Sequence, residues 1–176
     1  MAKSGKGALR AYLMTLPEAE VREQVLELWD RFPTVRDYFA SRFSAEGGAQ
    51  VLERAKSKIA SEFATGKRNP SGKPAVARKI IAEFRSSQVR PEATIELLLF
   101  YVGEAIDFSE TYGDEQPIRS IATSFAEALK LAEEEELINA FQDRFAEVVE
   151  RSKMVGWGLD DLLTSLWWEY KPRNGD

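Results

Sequence analysis

The chain of 176 residues contains no cysteine and no histidine. Without cysteine there is no disulfide, no thiol nucleophile and no thiolate metal site. Without histidine the commonest general base and the commonest metal ligand are missing. Long apolar runs are missing too. The longest, LLLFYV at 97–102, is far short of the ~20 residues that span a bilayer. The start, MAKSGKGALRAYLM, has no long apolar core followed by a small-residue cleavage site, so no signal peptide is expected. β-Branched residues are sparse and no segment of useful length alternates, which removes strands. These absences point to a non-enzymatic chain with no cofactor, no metal and no membrane contact, working in the cytoplasm.

What is present is ordinary for a globular protein: 44% hydrophobic and 30% charged residues. The most apolar stretch is 91–112, PEATIELLLFYVGEAIDFSETY. At about 100° per residue, Ile95, Leu98, Leu99, Val102, Ala105 and Ile106 share one side. Leu97, Tyr101, Phe108 and Tyr112 widen that side to roughly 200°, about twice what a surface helix needs. The spacing predicts a central helix with neighbours on two sides and with Leu98, Val102 and Ile106 fully buried. Its remaining stripe carries Glu92, Glu96, Gly103, Asp107 and Glu110.

Around it the chain reads as helices punctuated by proline and glycine. Val21, Val25, Leu28, Trp29 and Phe32 form one face of a helix after Pro17, and Pro33 opens the next. Gly47-Gly48 is expected to break the chain. A helix with Val51, Leu52, Ala55, Ile59 and Phe63 then leads to the loop TGKRNPSGKP at 65–74. Two amphipathic helices follow the central one. Gly156-Trp157-Gly158 precedes a last helix with the stripe Leu159, Leu162, Leu163, Leu166, Trp167, Tyr170. Trp157 is expected to plug a gap between helices. Length and pattern predict one all-α domain over 8–171, with a flexible start at 1–7 and a polar tail at 172–176. Eight or nine helices in antiparallel hairpins suit an α–α superhelix or an orthogonal bundle.

Charge is unevenly spread. The region from Arg54 to Arg90 nets +8, whereas residues 91–150 net −12. The loop places Lys67, Arg68 and Lys73 beside glycines, with Arg78 and Lys79 on the helix that follows. A phosphate-binding P-loop does not fit, because the glycine spacing is wrong, Pro74 stands where serine or threonine is needed, and no strand precedes it. An anion, nucleic acid or acidic partner is one reading of this cluster, and a solvated linker neutralised by the acidic half is the other. Arg78 or Arg85 is expected within reach of Glu96 or Glu104. The carboxylates Glu104, Asp107, Glu110 and Asp114 suggest magnesium or calcium by ligand type, against the plainer reading of a solvated face. Trp168 falls opposite the apolar stripe of its helix, so it is either covered by the N-terminal helices or a partner contact.

Four segments together resemble an uncharacterised bacterial family known only as a domain of unknown function: LWDRFPTVRDYF, the GKP with its ARK-I-EF helix, FYVGEAIDFSETYGD, and GWG-LDDLLTSLWWEY. The resemblance implies a helical chain of this size and carries no activity. The preferred function is a protein–protein adaptor or scaffold with an unknown partner. The alternative is nucleic-acid or polyanion binding through Arg54 to Arg90.

Overall fold

The structure, a computed structural model, describes residues 5–64, 71–87 and 89–170. Among these are nine helices and no strand: α1 (Lys6–Leu13), α2 (Glu18–Arg31), α3 (Pro33–Phe43), α4 (Ala45–Phe63), α5 (Pro74–Ser86), α6 (Pro91–Tyr112), α7 (Ile118–Glu134), α8 (Ile138–Ser152) and α9 (Leu159–Tyr170). The all-α expectation holds. Local chemistry sets many of the boundaries. Proline opens α3, α5 and α6 at the first turn, where its missing N–H leaves nothing unpaired. The Ser44 hydroxyl caps α4 by accepting from the Gly47 N–H at 3.0 Å. Gly113 ends α6 at φ +63, the left-handed stop that glycine adopts without penalty.

Helix α6 is the axis, and α4, α5, α7 and α8 all pack against it. This is a bundle around a central helix, not a superhelix in which each unit meets only its chain neighbours. Tyr101 donates to the Ser120 hydroxyl at 2.8 Å, and Leu98 lies beside Ser124, so α6 and α7 run antiparallel. Phe63 of α4 meets Tyr101 and Phe108 edge-on. At the far side, Phe145 of α8 contacts Phe125 of α7 and stacks on Trp167 of α9. Leu98, Val102 and Ile106 are at most 1% exposed, as their spacing predicts. Every residue of the buried apolar core lies between Val51 and Trp167.

Several expectations are overturned. Gly47-Gly48 does not break the chain, because both residues lie inside α4. A Cβ on Gly47 would sit 2.3 Å from the Ala40 carbonyl oxygen, so this glycine lets α3 and α4 approach closely. Lys6 and Gly7, expected to be flexible, belong to α1. Trp157 plugs nothing. It is exposed with φ +50 between two left-handed glycines, and Val155 is the buried residue of that turn. Beyond these corrections, no residue of α1, α2 or α3 is buried, the apolar face of α2 included.

Candidate functional site

The first three helices carry large apolar side chains that stay exposed. Trp29 of α2 stacks on Phe43 of α3 at 5.9 Å, and Phe43 stacks on Phe39 at 5.8 Å. Arg36 holds α3 to the end of α2, donating to the Trp29 and Asp30 carbonyls at 3.5 and 3.2 Å. A cation suits the C-terminal end of a helix. Tyr12 of α1 accepts from the Gln24 amide at 3.2 Å. These contacts order the segment without covering it. Leu26 is 57% exposed, Phe43 72% and Met14 80%. Beside the stacked rings lies an open hollow of about 170 Å³ lined by Val25, Leu26, Trp29, Phe39 and Phe43. The signal available in the sequence was Leu26, a large apolar residue that lies off the stripe of its own helix.

Five of the eight described basic residues between Arg54 and Arg90 have a carboxylate partner within the molecule. Lys67 and Arg68 lie outside the described residues. Arg78 and Arg85 both reach Glu127 of α7, at 3.0 and 3.8 Å. Lys79 faces Glu83 one turn on at 4.0 Å. Arg54 pairs with Asp37 of α3, and Lys56 with Glu96 of α6 at 3.0 Å. Lys58, Lys73 and Arg90 make no ion pair among the described residues. The expected pairing of Arg78 or Arg85 with Glu96 or Glu104 is not formed. The two arginines, two turns apart on α5, look toward α7, while the polar stripe of α6 faces α4 and α8. There Arg144 binds Glu96 at 3.1 Å and Arg151 binds Asp107 at 2.6 Å.

The end of the loop is tied down. Glu62 accepts from the Ser71 hydroxyl and from the Lys73 N–H at 3.1 Å, and its own carbonyl accepts from the Gly72 N–H at 3.2 Å. Gly72 is buried at φ +54, and a Cβ there would overlap the Phe108 ring at 2.2 Å. Only glycine fits both that backbone and that ring. The Lys73 side chain stays exposed.

The acidic stripe does not converge on a metal geometry. No group of three or more carboxylates capable of holding an ion occurs among the described residues. Asp107 is committed to Arg151, whose guanidinium lies over Gly103 and donates to its carbonyl at 3.2 Å. Asp114 accepts from the Gln116 N–H at 2.8 Å in a turn. Burial, and then the nearby Asp107 charge, raise the Glu104 carboxyl above its ordinary value, while Arg151 pulls it back. Burial likewise pushes the Tyr101 phenol up, against the Ser120 hydrogen bond and the Arg78 charge.

Trp168 is 67% exposed on α9, on the side away from buried Leu163 and Trp167. It therefore lies well away from the buried face of the helix, as its position on the wheel predicts.

Residues 4–166 match a family of unknown function, DUF6155. The chain belongs to this family. No curated protein and no solved structure matches it. The family supports the expectation of a domain of unknown function and brings no activity with it. No helix among the described residues is long and apolar enough to cross a membrane.

Proposed function

We propose that this DUF6155 member is a non-enzymatic interaction module of the cytoplasm, an adaptor or scaffold whose main contact face is the apolar surface of α1–α3. One observation carries the reading. Three consecutive helices bury no residue, yet they present Leu9, Tyr12, Leu26, Leu28, Phe32 and Phe43 to solvent. Val25, Leu26, Trp29, Phe39 and Phe43 line one open apolar hollow there, and exposed apolar patches mark places where another surface docks. Trp168, on α9, is a further exposed aromatic of the type that anchors interfaces. The alternative, nucleic-acid or polyanion binding, draws less support, because Arg54, Lys56, Arg78 and Arg85 are already held by carboxylates of this chain.

The test is affinity capture from source-cell lysate with the wild type, Leu26→Glu, and the triple variant Lys58→Ala/Lys73→Ala/Arg90→Ala, with and without nuclease. The expected result is one protein partner that survives nuclease and moderate salt, survives the triple change, and is lost with Leu26→Glu. Capture that disappears with nuclease or with the triple change would move nucleic acid to first place, since phosphate contacts weaken steeply with salt.

A further inference from the structure

We propose that a cavity between the first turns of α4 and α6 binds a small zwitterion with an apolar body, the chemical class of a free apolar amino acid. Ser41 of α3 lines one side of it, but the proposal does not rest on the exposed apolar residues of α1–α3. The cavity measures about 300 Å³, at the lower end of the range for small-molecule pockets. Leu52 of α4, Ala93 of α6, Phe141 of α8 and Val89 give it apolar walls.

Gly48 is the first reason to assign an occupant. Two adjacent glycines sit in the first turns of α4, and packing explains only one. Gly47 meets the Ala40 backbone so closely that no side chain fits. At Gly48 a Cβ would meet only Ser41 backbone atoms at 4.0 Å, an ordinary contact. A glycine within a helix costs up to about 1 kcal/mol relative to alanine, and no close packing within the chain offsets it here. Gly48 lines the cavity together with Ala45 and Ala49. Gly48 leaves bare backbone on that part of the wall, which a ligand can approach closely.

The charges at the mouth give the ligand class. Glu96 lines the cavity but is already held by Lys56 at 3.0 Å and Arg144 at 3.1 Å. That leaves Arg90 and Glu92, on either side of Pro91, which pair neither with each other nor with any other described residue. Ser44 accepts from the Gly47 N–H, and its own hydroxyl hydrogen has no acceptor among the described residues. All three residues are exposed, and a ligand carboxylate at Arg90 and Ser44, with its ammonium at Glu92, meets each of them with a complementary group. A ligand with one charge places that charge beside a like charge as well as an opposite one. The apolar walls take the side chain.

The experiment is amide-resolved NMR titration of the full chain with L-phenylalanine, and with 2-phenylethylamine and 3-phenylpropionate as the single-charge counterparts. The expected result is saturable shifts at Gly48, Ala49 and Ala93 with L-phenylalanine in the millimolar range. Each counterpart should bind about threefold to fivefold more weakly, the ratio that one exposed ion pair provides. Gly48→Leu, with its fold checked by circular dichroism, should abolish the shifts. If that variant does not fold, Arg90→Gln and Glu92→Gln serve instead, each reducing the zwitterion to the affinity of a single-charge probe. Absence of shifts at about 10 mM, a ceiling set by the weakest useful affinities, would overturn the proposal. So would undiminished binding to folded Gly48→Leu, or equal binding of all three probes.

Discussion

Helices α2 and α6 are both amphipathic, and both carry enough leucine, valine and aromatic side chains to join a core. They end in opposite situations. Twelve of the twenty-two residues of α6 are buried, whereas none of α2 is. The cause lies in the neighbours. Helix α6 is enclosed by α4, α5, α7 and α8, while α2 packs mainly on α3, itself unburied. Hydrophobic periodicity states which face a helix wants covered, and only the rest of the chain decides whether cover is supplied.

The largest effects should separate the two regions directly. Leu98→Ala or Val102→Ala should cost about 1–5 kcal/mol, the range for truncation in a closed core. Leu26→Ala or Leu28→Ala on α2 should stay within about 0.5 kcal/mol, as for exposed positions. Denaturant melts of the four variants measure this. Similar costs in both pairs would break the comparison.

The border between the regions is the crossing of α3 and α4, and it sharpens the contrast. Gly47→Ala should destabilise by about 1–3 kcal/mol, because its methyl group meets a backbone carbonyl that cannot step aside. Gly48→Ala, one residue on, should be neutral or stabilise by up to about 1 kcal/mol through helix propensity alone. Thermal melts that rank the two in reverse order would contradict the close approach of α3 to α4.

The polar edge of α6 should give the smallest effect. Glu104 loses its proton at a higher pH in the folded chain than in the unfolded one. Between those two values the folded state holds more protons, so stability falls as pH rises through the window. Glu104→Gln should therefore raise the melting temperature at pH about 7 and leave it nearly unchanged at pH about 3.5, where the carboxyl is protonated in both states. An equal gain at both values would mean that charge is not the cause.

Much of the fold was legible in the sequence. The bounds of α6 follow from Pro91 and Gly113, residues that start and stop helices for stated steric reasons, and its wide apolar arc announced a helix covered on several sides. The glycine pair was misread because a helix tolerates glycine at modest cost, and the close approach that requires Gly47 involves a residue seven positions earlier. The partners of Arg78 and Arg85 were misread because adjacency in sequence pointed to α6, while the side chains look toward α7. The α1–α3 surface was hidden because its stripes are indistinguishable from core stripes until the neighbours are known.

The central claim is that α1 and α2 are held apart from the core and keep an uncovered apolar face. Hydrogen–deuterium exchange of the full chain, followed by mass spectrometry, tests it most directly. Amides of α6 should open only with global unfolding, and those of α1 and α2 should exchange about a thousandfold faster or more. Protection of α1 and α2 equal to that of α6 would contradict the claim, because it would mean that these helices are packed into the core in solution.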